Sequence, residues 1–180
     1  LLVLGMLVLV AIGYFSFKLK RTKRVIEYLT LRAPVLGTLI KEINSARTAR
    51  TLSSLISSGV DIGRSISITK EVLQNSYHKE VLDQALVAVE RGETISSIFK
   101  SNTNLYPVMV GEMMEVGEET GKMTSMLLDI AAFYEGEVEA KTKDLSTIIE
   151  PVLMIFIGAG VGFFAVSMLQ PMYSIMDSIK

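Results

Sequence analysis

The sequence predicts an all-α protein, a six-helix cytoplasmic bundle flanked by two transmembrane helices. Three observations predict it. Of the 18 Lys and Arg and 19 Asp and Glu, all but Asp177 and Lys180 fall between Lys18 and Glu150, which leaves residues 1–17 and 151–176 uncharged. Between those runs apolar residues recur at spacings of three and four: Ala49, Leu52, Leu55 and Ile56; Leu82, Ala85, Leu86 and Val89; Leu127, Ile130, Ala131 and Tyr134. No stretch shows the sustained alternation and turn dipeptides of paired strands.

Residues 1–17 read as the first transmembrane helix, about 26 Å long at 1.5 Å per residue and a little short of a ~30 Å hydrocarbon core. The chain starts at Leu1 rather than Met, so a truncated span of a longer protein is expected. A signal peptide would carry its basic residues before the apolar run, whereas here Lys18, Lys20, Arg21, Lys23 and Arg24 follow it. Dense Lys and Arg beside a span stay on the cytoplasmic side, so residues 18–33 are expected to form a basic juxtamembrane helix facing the cytoplasm. Residues 151–176 form a second uncharged run, about 39 Å as helix, long enough to span with tilt, and residues 177–180 become a non-cytoplasmic tail.

Punctuation divides residues 34–150 into helices. The first is expected over residues 42–58, stopped by Gly59 in a left-handed conformation. Asp61 caps a second that reaches Asn75, and Ser76 caps a third that ends at Arg91 before Gly92. Thr94 caps a short fourth to Ser101. Pro107 suits the first turn of a fifth, which a Gly117–Gly121 turn ends, both glycines with positive φ and Glu118 bonded to nearby backbone. The sixth starts near Lys122 and can run into the membrane past Pro151, whose missing N–H predicts a bend.

Charge and composition exclude several chemistries. The segment between the two uncharged runs carries 17 Lys and Arg against 18 Asp and Glu, so nucleic acid is not an expected partner. With no Cys, disulfides and thiolate chemistry are excluded. Gly117-Glu-Glu-Thr-Gly121-Lys122-Met123 has one residue too few for a phosphate-cradling loop, lacks the Ser or Thr after Lys, and follows a helix rather than a strand. His78, the only histidine, is expected on a solvated face among Tyr77, Lys79 and Glu80. No catalytic, cofactor or metal site is expected. Met109, Met113, Met123 and Met126 fall on apolar faces and read as core.

Binding features remain. Glu112, Glu115, Glu118 and Glu119 make an acidic face for a basic partner, with hard-cation binding as the rival use. Gly158 and Gly162, separated by Ala159, Gly160 and Val161, form a small-residue face for close helix packing in the membrane. Glu150 beside the membrane needs a partner from its own bundle or a neighbouring subunit.

Over residues 34–171 the chain resembles the platform proteins of type II secretion and type IV pilus assembly machines, specifically their repeated F domain. The matching segments are Pro34-Val-Leu-Gly37, residues 49–60 from Ala49-Arg50 to Gly59-Val60, Gly92, Pro107, Val116-Gly-Glu-Glu-Thr-Gly121, Tyr134-Glu135 and Ile149-Glu-Pro151. Asp61 departs from the family's frequent Pro, but either residue can begin a helix. Such proteins carry two F domains and three membrane helices, which implies that this chain is the second half. The resemblance also implies a six-helix bundle and a non-enzymatic homo-oligomer in the prokaryotic inner membrane. Its implied partners are a hexameric assembly ATPase, pilin or pseudopilin subunits, other inner-membrane assembly proteins and lipid. The two alternatives are a transport subunit and a membrane-tethered signalling module. Both uncharged runs lack the intramembrane charge that solute pathways often carry, and Lys141 to Asp144 interrupt any coiled-coil output helix.

Overall fold

A computed structural model of the chain describes residues 20–177. The first expected transmembrane helix at residues 1–17 lies outside the described residues, as do residues 178–180 of the tail. Among the described residues there are seven helices and no strand: α1 (Lys20–Arg32), α2 (Leu36–Ser57), α3 (Ile62–Val72), α4 (Ser76–Glu90), α5 (Ile95–Ser101), α6 (Val108–Thr120) and α7 (Met123–Asp177). The chain divides into two compact units, one through Val138 and one from Glu139.

The first unit is a bundle in which α2 to α6 and the start of α7 share one apolar core. Ala49 and Leu52 from α2, Ile66 from α3, Val81, Leu82 and Ala85 from α4, Phe99 from α5, Met114 from α6 and Leu127, Ile130 and Ala131 from α7 are buried together. Spacings of three, four and seven put each set on one helical face, and excluding that face from water drives the packing. Met109, Met113 and Met123 fill the margins of this core, as their positions predict.

The helix ends follow from local chemistry. Gly59 sits at φ 79°, and the N–H groups of Gly59 and Val60 donate to the carbonyls of Ile56 and Leu55 at 3.0 Å each, which satisfies the last carbonyls of α2. The Asp61 carboxylate accepts from Gly63 and Arg64 and starts α3, as expected. Other boundaries differ from the sequence reading. α2 begins at Leu36 instead of residue 42, two residues after Pro34, so residues 36–41, Lys41 among them, are helical as well. α3 stops at Val72 because Leu73 turns extended at ψ 148°. Asn75 rather than Ser76 caps α4, its Oδ1 accepting from the N–H groups of Tyr77 and His78.

The Gly117–Gly121 segment is not a turn between two positive-φ glycines. Only Gly121 is left-handed, at φ 67°, and α6 runs through Gly117 to Thr120. Gly117 is needed for proximity instead: a Cβ there would stand 3.0 Å from the Met123 Cα and 3.2 Å from the Met126 side chain. Helix α6 and the start of α7 therefore touch backbone to side chain across the Gly121 turn.

Helix α1 packs beside α2 and is fastened to α4. Its Glu27 carboxylate accepts from the Ser76 N–H at 3.1 Å and from the Ser76 hydroxyl. Arg24 pairs with Glu80 at 2.7 Å and lies over the Tyr77 ring. In the second unit α7 continues through Pro151 to Asp177, and Glu150–Met168 is a 19-residue stretch of mean hydropathy 2.1 with no part of it buried. Its length and composition suit a membrane crossing and coincide with the second expected span.

Candidate functional site

The segments singled out in the sequence meet in the bundle at three polar junctions. At the first, Arg50 on α2 grips Glu135 on α7. Its Nε and Nη2 donate to the two carboxylate oxygens at 2.8 and 2.5 Å, a planar fork-to-fork pair. The hydrogen bond to Arg50 holds the Glu135 carboxyl below the usual carboxylate range, and the same bond raises the guanidinium. Both side chains are close to half exposed, so the pair sits at the rim of the core. The two partners are 85 residues apart, and neither alone carries a local signal for the other.

At the second junction Glu118 on α6 reaches the start of α5. One carboxylate oxygen accepts from the Ile95 N–H at 2.7 Å and the other from the Ser96 N–H at 2.9 Å. Thr94, the expected cap, makes no side-chain bond to the helix. A carboxylate at a helix N-terminus satisfies orphan N–H groups and opposes the positive end of the dipole, so Glu118 is the functional cap of this seven-residue helix. The sequence places Glu118 to bond nearby backbone, and the N–H donors it accepts from lie one helix away.

The third junction is buried. Tyr106, fully enclosed, shares a 3.0 Å hydrogen bond with Thr48 and meets Phe99 and His78 edge to face. Burial raises the Tyr106 phenol beyond its ordinary range. His78 does not face solvent as the sequence suggested: it is fully buried. Its neighbours Tyr77, Lys79 and Glu80 are polar, but His78 stands three, four and seven residues before Val81, Leu82 and Ala85 on the core face of α4. Its Nδ1 lies 3.0 Å from Asn75 Oδ1 and its Nε2 3.1 Å from the Leu105 carbonyl. Desolvation outweighs those acceptors and lowers the imidazole to about 4, so the ring is neutral at pH 7 and donates through one nitrogen.

The four-glutamate face is divided in its uses. Glu112 and Glu119 are exposed, Glu115 accepts the Lys100 ammonium on both oxygens at 2.8 Å, and Glu118 is turned toward α5. Val108 and Val116 are exposed on the same helix, 55% and 49%, beside the open glutamates. Among the described residues no group of three His, Asp or Glu side chains is arranged to hold a metal ion. Glu150 is exposed, and Gly158 and Gly162 have open space where a Cβ would stand.

Residues 48–171 match the family model of type II secretion system protein F. This match begins at Thr48, within the Tyr106 junction, and runs through Arg50, Glu118 and Glu135 to the end of the apolar stretch. The chain belongs to the type II secretion system protein F family. It is 37% identical over 158 residues to the type IV pilus assembly protein PilC of Thermus thermophilus, covering 88% of this chain and 39% of that protein. It is 34% identical over 179 residues to PilC of Myxococcus xanthus, covering 99% and 43%. Against type II secretion system protein F of Aeromonas hydrophila it is 29% identical over 181 residues, covering 98% and 46%. The chain thus spans less than half the length of these relatives. In this F-family bundle the three junctions tie segments distant in the chain, and the open acid sits on α6.

Proposed function

We propose that this chain is the second half of a non-enzymatic platform in the prokaryotic inner membrane, where it couples a cytoplasmic assembly ATPase to the insertion of pilin-like subunits into a filament. The observation that carries the reading is the single family match, which runs from α2 of the bundle into the apolar stretch of α7. A bundle continuous in sequence with a membrane helix suits a part that receives a partner on one side and contacts membrane subunits on the other. The reading covers a pilus or a secretion machine, because relatives of both kinds are matched at overlapping identities, 28% for the pilus protein and 30% for the secretion protein of Pseudomonas aeruginosa.

In this reading residues 18–150 are cytoplasmic, with residues 34–150 forming the F domain, and residues 1–17 and 151–176 cross the membrane. Glu112 and Glu119, with Glu115 and Glu118 behind them, steer a basic partner surface by long-range charge. Gly158 and Gly162 admit a neighbouring helix, and Glu150 finds its partner in a neighbouring subunit, making the platform an oligomer. Deleting the full-length gene tests the proposal. Loss of surface filaments with pilin retained in the membrane is expected, whereas normal filaments and normal export of secreted proteins would contradict it.

A further inference from the structure

Between α1, α2 and the turn from α3 to α4 lies a groove of about 680 Å³. Three cations line it, Lys23 from α1, Arg47 from α2 and Lys79 from α4, against one carboxylate, Glu27. That carboxylate is already committed to the Ser76 N–H and hydroxyl, with Lys23 at 3.8 Å. Arg47 and Lys79 are each half-buried, and neither side chain has a hydrogen bond or an ion pair among the described residues. Of the other cations in the bundle, Arg24, Arg50, Lys70 and Lys100 each face a carboxylate, while half-buried Lys41 and the exposed Arg64, Arg91 and Lys122 do not.

We infer that this groove binds a phosphate group. A half-buried guanidinium without an acceptor loses hydration with no compensating bond, and an anion in the groove supplies the bond. The three cations and Glu27 leave a net charge near +2, which matches a phosphate monoester of roughly −1.5 to −2 at pH 7. Arg presents parallel N–H donors matched to phosphate oxygens, and Lys supplies mobile point charges around it. Asn44, whose amide donates one bond to the Ile40 carbonyl, keeps a second N–H for the ligand. The volume falls in the range of small-molecule sites. A soluble phosphate monoester and the singly charged phosphodiester headgroup of an anionic lipid both present phosphate oxygens to these donors, the monoester matching the charge more fully, and Lys23 lies six residues beyond the uncharged run that ends at Phe17.

The test uses the full-length protein purified in mild detergent at physiological salt. One arm titrates sn-glycerol 3-phosphate and inorganic pyrophosphate by calorimetry, with citrate as a non-phosphate anion. The other compares retention of phosphatidylglycerol and phosphatidylcholine by native mass spectrometry. Saturable binding in either arm is expected, weakened at least tenfold in Arg47→Gln/Lys79→Gln and unchanged in Arg64→Gln, an exposed arginine outside the groove. Binding of the soluble phosphates identifies a metabolite, and selective retention of phosphatidylglycerol identifies the headgroup. The phosphate-free melting temperature of the double variant should stay the same or rise, since two unpartnered cations are removed. Lys79→Gln alone gives the same comparison if the double variant does not fold. No binding in either arm, citrate bound as tightly as pyrophosphate, or equal loss in Arg64→Gln would overturn the inference.

Discussion

The Glu118 carboxylate on α6 accepts the backbone N–H of Ile95, 23 residues earlier, and thereby caps a helix to which it does not belong. Its second oxygen takes the Ser96 N–H, so one side chain both ends the orphaned donors of α5 and clamps α5 to α6.

Glu118→Ala should destabilise the bundle by about 2 kcal/mol, the worth of charge-assisted hydrogen bonds to a helix start. Glu118→Gln keeps acceptor capacity for only one N–H and should cost about half as much. Urea unfolding of the full-length protein followed by circular dichroism reads both; equal stability of all three proteins would rule out the cap.

Gly117 and Gly121 should respond differently to alanine. At Gly117 the new Cβ meets the Met123 backbone at 3.0 Å, an overpacking cost of about 1–3 kcal/mol. At Gly121 there is open space, and the cost is the left-handed backbone, about 1–2 kcal/mol. Gly121→Asn should therefore recover part of the Gly121→Ala loss, while Gly117→Asn should be worse than Gly117→Ala.

His78 gives the bundle an acid-sensitive core. Its imidazole is lowered to about 4 in the folded protein against about 6.5 unfolded, so the unfolded chain binds the proton first. Stability from this group is fully present above pH 6.5 and declines as pH falls toward 4, by about 3 kcal/mol in total. A His78→Gln variant should show a flatter stability profile between pH 6.5 and 4. A profile parallel to that of the unmodified protein would show that the histidine does not titrate there.

Arg50 and Glu135 form a rim pair, worth about 0.5–1 kcal/mol by double-mutant cycle despite its two hydrogen bonds, because both ends are open to water. The coupling should shrink on acidification, since the depressed Glu135 carboxyl contributes above its unfolded pKa and is lost as pH falls through the folded one.

Charge reversal of Glu112 and Glu119 to Lys should abolish filament assembly and leave the melting temperature within about 1 °C, because both side chains are exposed and neither holds the fold. Normal piliation in that variant would remove the acidic face from the account.

The helices were legible because their ends are written locally. Gly59, Asp61, Gly92, Pro107 and Gly121 each stop or start a helix through their own backbone or side chain, and the core faces follow from spacing. What was not legible depends on contacts far along the chain. Nothing near Glu118 names Ile95, nothing near Arg50 names Glu135, and the need for glycine at 117 arises from Met123 and Met126 packing over it. The polar neighbours of His78 point to a solvated face, whereas its spacing to Val81, Leu82 and Ala85 places it on the buried one. The groove between α1, α2 and α4 was likewise hidden, since Lys23, Arg47 and Lys79 are scattered in sequence.

The platform reading is tested most directly by isolating the full-length protein in mild detergent, with mass spectrometry of its companions and mass photometry of the complex. The account predicts a defined oligomer that brings down an assembly ATPase and pilin-like subunits, with the ATPase lost on reversal of Glu112 and Glu119. A lone protein, or one that brings down a kinase or a transporter instead, would contradict it.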